Sequence, residues 1–324
     1  MGGLELGQSI GPVLGREPSS VPGASNPIIG AAAIRCRPTS IGVEFIVTQS
    51  EFPALSDWAP TRDTLSLYAA AVGVVPQALA DPHPKWWHVS LKVQEEGAAT
   101  IPIPQPGSSD TTFQLVMNLK THTLDIATDD GEIHSLSMTE GLSSTEFGNR
   151  LLSTLRDLGI TGEFERSKFE NDEPRAYDPQ AANNFRVILL NTAKVLDQHK
   201  AGLSGESGPI QLWPHNFDLA FEWFGTLMVS SDENGETKEH PSQINFGLAP
   251  GDSSHPEAYY YSNPWPFQES LVGRELPGGA RWFTESWQGT LLSYAEIADH
   301  ESGAEKLAAY FKAVYDLASP LLTA

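Results

Sequence analysis

Phe113-Gln-Leu-Val-Met-Asn-Leu119, Thr123-Leu-Asp-Ile-Ala-Thr128 and the run from Glu132 to Met138 alternate apolar and polar residues, and only a few residues separate them. A period of two sends successive side chains to opposite faces of a strand, so each run predicts a strand with one buried face. Connections this short make the pairing antiparallel, with Asp130-Gly131 as the hairpin turn between the last two runs. Working back along the chain, Trp86-Trp-His-Val-Ser-Leu-Lys-Val93 alternates in the same way. It predicts a strand with Trp87, Val89, Leu91 and Val93 on one face and Trp86, His88, Ser90 and Lys92 on the other.

Helical spacing flanks this meander. Leu65, Tyr68, Ala69, Val72 and Val75 follow Pro60-Thr61, and Pro76 is expected to kink or end that helix. Ser143-Ser-Thr-Glu146 has capping-box spacing ahead of the stripe Phe147, Leu151, Leu152, Leu155 and Leu158, and Gly159 offers a left-handed stop. A strand is expected near Gly162 to Arg166, and then an acidic connection, Glu170-Asn-Asp-Glu-Pro-Arg175, forms the best internal boundary. Asp178-Pro179 opens a helix running to Gly202, roughly 34 Å at about 1.5 Å per residue. Strand-like segments follow at Pro209 to Phe224, Gln243 to Leu248, Ala258 to Ser262 and Arg281 to Leu292. Ser302-Gly-Ala-Glu305 then repeats the capping-box spacing before a last helix. Runs of strands separated by helices, without strict alternation, predict an α+β fold. Its antiparallel sheets and packed helices would form two sheet-and-helix lobes in one unit, residues 56–177 and 178–324. Residues 1–55, rich in Gly, Pro and Ser, read as a loosely ordered extension with one strand-like run, Gly42 to Thr48.

With 20 Lys and Arg against 41 Asp and Glu, the net charge of -21 repels nucleic acid and anionic lipid surfaces. A single cysteine, Cys36, excludes an intrachain disulfide and multi-cysteine metal sites, and fits a reducing compartment. No run of roughly 18 apolar residues is present. The expectation is a soluble cytoplasmic protein with no nucleic-acid or membrane partner; oligomeric state and cofactor are left open.

Nucleophile elbows, dinucleotide fingerprints, phosphate loops and paired metal-binding histidines are all missing, so no motif names a reaction and no metal ligands are assigned. What stands out is Gln211-Leu-Trp-Pro-His-Asn-Phe-Asp-Leu-Ala-Phe-Glu-Trp-Phe224, with five of the eight Trp lying between Trp213 and Trp287. Rigid aromatic side chains with a few polar groups are the equipment of a small-molecule site, expected here between the two lobes. Pro214 interrupts a strand ladder, and if it does so here, His215 and Asp218 can converge as a base and its orienting carboxylate. In a regular strand they face opposite ways. Glu285 is a further catalytic carboxylate candidate. His88, Trp213, Glu222, Tyr261, Trp287 and Gln288 are candidates for holding a ligand. His199 sits near the polar end of a helix, where it complements the dipole, and His134 reads as a core histidine. An enzyme using His215 with a carboxylate is one expectation. A noncatalytic binding or assembly protein, presenting the same aromatics to a protein partner, is the other.

Trp86-Trp-His-Val, Ile101-Pro-Ile-Pro, Asp178-Pro-Gln-Ala-Ala, Phe217-Asp-Leu-Ala and Trp287-Gln-Gly289 occur in an order that resembles an uncharacterised family catalogued only as a domain of unknown function. The resemblance covers about Trp58 to Leu322. It implies a coherent fold over that span and brings no established activity.

Overall fold

The computed structural model describes residues 50–324, apart from 109, 234, 235, 253 and 254. Cys36 and the strand-like run Gly42 to Thr48 lie outside the described residues. The meander forms as its pattern dictates. β1 (Leu91–Gln94), β2 (Gly97–Thr100), β3 (Ile103–Pro104), β4 (Thr112–Asn118), β5 (Thr123–Thr128) and β6 (Ile133–Ser137) follow one another along the chain. β4 alternates strictly between buried and half-buried residues, and Gly131 takes the positive φ of +86° that the β5–β6 turn needs. The second half supplies β7 (Glu206–Ser207), β8 (Gln211–Trp213), β9 (Asp218–Glu233), β10 (Glu236–Ala249), β11 (Tyr259–Trp265), β12 (Arg281–Phe283) and β13 (Gly289–Ser293).

All these strands join one antiparallel sheet in the order β12-β13-β11-β10-β9-β8-β1-β2-β4-β5-β6, with β3 on β4 and β7 on β9. The two halves meet where Leu91 of β1 pairs with Leu212 of β8. Four α-helices among the described residues, α1 (Ala59–Leu79), α2 (Ser144–Asp157), α3 (Pro179–Ala201) and α4 (Gly303–Ala318), cover one face. Leu91, Leu115, Leu212, Leu219, Phe221, Ile244, Phe246, Leu248, Tyr260 and Leu292 point into that layer and share a single buried cluster with the helices. The fold is therefore α+β. None of the helices is long and apolar enough to cross a membrane, among the described residues.

Local signals set the helix ends where their hydrogen bonds are local. Ser143 accepts from the Glu146 amide at 3.1 Å while Glu146 accepts from the Ser143 amide at 3.1 Å. Gly159 follows at φ +79°. Asp178 caps α3 by accepting from the Gln180 amide at 2.7 Å. Several expectations need correction. Of the two outcomes expected at Pro76, the helix does not end there: α1 continues to Leu79, and the Pro76 carbonyl accepts from the Ala80 amide at 3.0 Å. Ser302 begins α4 without capping it, because its hydroxyl bonds His300 Nδ1 at 3.1 Å instead. Gly162 to Arg166 form no strand and lead into a 3-10 turn at Arg166–Lys168. Phe52, placed in the expected extension, is buried in the core, and the Asp299 amide donates to its carbonyl at 2.8 Å.

Candidate functional site

Pro209 to Phe224 is not one strand. Trp213 pairs with Asp218, and between them Pro214-His215-Asn216-Phe217 form a hairpin turn closed by the Phe217 amide donating to the Trp213 carbonyl at 2.7 Å. Proline ends β8 because it has no amide for the ladder. Phe217 takes φ +55°, a conformation unfavourable for a large side chain. Its buried ring against Phe185, at 5.6 Å between centroids, holds it there. Pro214 is buried beside Gly73 of α1, whose missing side chain makes the room. With Pro214 and Phe217 anchored inward, His215 and Asn216 are exposed at the tip.

β9 then carries Asp218, Ala220 and Glu222 on the face opposite the helices, since Leu219, Phe221 and Trp223 fill the core. The register sets Glu222 opposite Asn245 and Asn245 opposite Asn263, and sets Ala220 opposite Gly247 and Gly247 opposite Tyr261. The result is a half-buried polar strip across three strands. At its centre Tyr261 donates its phenol proton to Oδ2 of Asp218 at 2.5 Å. Burial raises the pKa of Asp218, while the Tyr261 hydrogen bond and then the charge of His215 oppose that rise. Burial also raises Tyr261 well above the ordinary phenol value, and the charge of Asp218 adds to it.

Glu222 is the second carboxyl of the strip. Burial raises its pKa, opposed by its own backbone hydrogen bond and the charge of Lys85. Its Oε2 and the Oδ1 of Asn245 are buried without a hydrogen-bond partner among the described residues. Buried polar atoms are rarely left so, and these two lie on facing residues of the strip. Lys85 lies over the ring of Phe224, 3.6 Å from its centroid, and so brings a cation to the edge of the strip.

The other expected site residues are scattered. Trp213 is half-buried at the base of the turn, edge-on to His215 at 6.0 Å between centroids. His88 does not project from a strand, because residues 87–89 form a 3-10 turn and β1 begins only at Leu91. His88 is buried at 6% exposure, and its Nδ1 accepts from the His83 amide at 3.1 Å. Burial and then the charge of His83 lower its pKa. Arg281 to Leu292 divides into β12 and β13, which leaves Glu285, Trp287 and Gln288 in the connection instead of on one strand face. Glu285 is exposed there and pairs with Arg281 at 3.9 Å. Trp287 packs on Phe283 at 4.7 Å and stacks on Tyr259 at 6.3 Å. Gln288 offers its carbonyl to Asn263 Nδ2 at 3.0 Å.

Asn245, Asn263 and Lys92 were not singled out from sequence. Their only signal was a polar residue between two neighbours of the opposite face, Ile244 and Phe246, Ser262 and Pro264, or Leu91 and Val93, which any solvated sheet face also gives. His134, expected in the core, is half-exposed and lies 3.5 Å from Glu132.

A family model described as a family of unknown function (DUF5996) matches residues 52–323. No curated protein and no solved structure matches the chain.

Proposed function

We propose, from the premise that the chain belongs to this family of unknown function, that it is an enzyme acting on a small molecule bound over the polar strip of its sheet. Asp218 and His215 are the acid–base pair, Tyr261 fixes the protonation and orientation of the Asp218 carboxyl, and Glu222 is the second carboxyl. The observation that carries this reading is the hydrogen bond from Tyr261 to Asp218, beside an exposed histidine on the same turn. A carboxyl whose pKa is raised by burial gives up and regains a proton nearer neutral pH than an ordinary aspartate, as general acid–base work requires. Trp213, Trp287 and Tyr259 supply apolar walls, and Asn245 supplies an acceptor that can orient a ligand. Glu285, held by Arg281 in the connection, has no part in this assignment.

A fragment screen by crystal soaking, using metabolite-sized amines, alcohols and carboxylic acids, tests the reading. Fragments should collect over Asp218, Tyr261 and Trp213, and an Asp218→Asn crystal should lose the ones that hydrogen-bond there. Collection elsewhere, with the strip empty in the wild type, overturns it. A second reading draws on Trp86, which is 49% exposed and held at φ +60°. An aromatic ring strained into solvent is also what a noncatalytic protein-binding surface presents.

A further inference from the structure

Between the segment leading into β1 and the segment leading into β8 lies an open recess of about 270 Å³, lined by Asp81, His83, Trp87, Lys92, Ile101 and Pro209, among others. Lys92 is half-buried, and its side chain has no ion pair or hydrogen bond among the described residues. Lys120, Lys168 and Lys312 each meet a carboxylate. The recess around Lys92 holds aromatic rings and one carboxylate, Asp81, and both Lys200 and Glu222 act on Lys92 electrostatically. Lys200 is tied at 2.6 Å to the carbonyl of Gly208, the residue before Pro209. A side chain on Gly208 would run into both the Glu222 carboxyl and the Trp87 indole, so these two groups close on the same backbone. Lys92, Lys200, Glu222 and Trp87 thus gather around Gly208 and Pro209.

We propose that Lys92 is a reactive amine that forms an imine with a small aldehyde or ketone in this recess. Here burial lowers the Lys92 pKa, and the neighbouring charge of Lys200 lowers it further, while Glu222 opposes both. Desolvation together with a second cation is the established way to obtain a nucleophilic lysine amine. The free amine adds to the carbonyl carbon, forming a C–N bond as the carbonyl pair moves to oxygen and takes up a proton. The carbinolamine then loses its hydroxyl as water while the C=N bond forms, so amine and carbonyl compound give imine and water. Glu222, whose pKa is raised by burial, is the nearby group that can lend and recover the proton. The recess falls a little below the ~300 Å³ of ordinary ligand pockets, which suits a compound of a few carbon atoms. The inference shares Glu222 with the acid–base reading and is otherwise independent of Asp218, Tyr261 and His215.

The test is reductive trapping. The full chain is incubated near pH 7 with glyoxylate, pyruvate or acetaldehyde in the presence of cyanoborohydride, and the adduct is located by peptide mass spectrometry. For at least one probe, Lys92 should be labelled tenfold or more faster than surface lysines such as Lys306 and Lys312, and its rate should level off at a lower pH than theirs. K92R should lose this adduct while keeping the background labelling. The wild-type rate comparison stands even if that variant folds poorly. Labelling of Lys92 no faster than Lys306 and Lys312 for all three probes overturns the proposal. So does a chemical-shift response of Lys92 to acetate without any covalent adduct, which would make the recess an anion site. Retained trapping in D218N would separate this result from the fate of the acid–base reading.

Discussion

Tyr261 reaches across an intervening strand to bond Asp218, and Gly247 is what lets it. Tyr261 pairs with Gly247 in the β10–β11 ladder, and a Cβ placed on Gly247 would lie 2.6 Å from Cζ of Tyr261 and 2.7 Å from its hydroxyl. Real Cβ atoms do not come so close. The tyrosine ring therefore lies flat over the glycine, and its hydroxyl arrives at Oδ2 of Asp218.

Gly247→Ala should consequently separate Tyr261 from Asp218. Overpacking of this kind costs typically 1–3 kcal/mol. The added methyl cannot be accommodated by a flexible chain end, since the ring above it is rigid. Urea unfolding should show the loss, and Gly247→Ala combined with Tyr261→Phe should cost less than the sum of the two single changes, because both break the same contact. Strict additivity would mean the ring does not depend on the glycine.

Tyr261→Phe alone removes the donor and leaves a buried carboxyl oxygen unsatisfied, at a cost of about 1–3 kcal/mol. The penalty should be greater at pH 8 than at pH 4, because an unpartnered carboxylate is worse to bury than an unpartnered acid. Equal melting-temperature losses at both pH values would contradict the assigned bond.

Asp218→Asn tests the same carboxyl from the other side. Its folded pKa lies above its unfolded value, so the folded state holds the proton more tightly. The stability this contributes is complete below the unfolded pKa of about 3.9 and is lost as pH rises through the folded value. Asparagine keeps the acceptor for Tyr261 and never ionises. The variant should therefore gain stability relative to wild type as pH increases from 4 to 8, measured by melting temperature across that range. A difference that stays flat with pH would show that Asp218 is not raised.

The parts of this molecule that could be read from sequence are those whose cause is local. The Ser143–Glu146 box, the Asp178 cap and the Asp130-Gly131 turn each satisfy their own backbone within four residues. The β4 and β5 alternation needed only a buried face. Trp86 to Val89 misled because the pattern of period two continues through a turn that tertiary packing imposes. Arg281 to Leu292 misled because a strand pair with a short connection has the composition of one long strand. The Pro209 to Phe224 stretch pointed to the right residues but the wrong shape, since nothing local says that Pro214 will lodge against Gly73. Asp218 and Tyr261 lie 43 positions apart and meet through a glycine on a third strand, so no spacing could have paired them.

That same Pro214 contact gives a further expectation. A Cβ on Gly73 would approach Pro214 Cβ to 2.7 Å, and the proline ring cannot turn away because the hydrogen bond from Phe217 to Trp213 closes the turn behind it. Alanine is favoured over glycine in a helix by about 1 kcal/mol, against about 1–3 kcal/mol for overpacking. Gly73→Ala should therefore lose up to about 2 kcal/mol in urea unfolding and displace the His215 resonance in NMR spectra. A variant more stable than wild type would mean the turn moves freely, and the anchoring of His215 would have to be abandoned.

His199 provides a separate, acid-side expectation. Far from simply meeting the helix dipole, it packs in an aromatic box, 4.7 Å from Phe246, 5.8 Å from Phe311 and 6.2 Å from Tyr315 between ring centroids. Burial lowers its pKa to about 4, against the charge of Asp316 and assisted by that of Lys312. The folded value lies below the unfolded one of about 6.5, so the stability it contributes is complete above pH 6.5 and is lost as pH falls toward 4. At about 1.4 kcal/mol per pKa unit, the loss is no more than about 3 kcal/mol, reduced by the partial exposure of the ring. His199→Phe keeps the aromatic packing without the proton. Its stability relative to wild type should rise steadily from pH 7 to pH 4, followed by urea midpoints, and the His199 ring resonance of the wild type should titrate near 4. A titration near 6.5 with no pH-dependent gain in the variant would place the ring in water and remove it from the box.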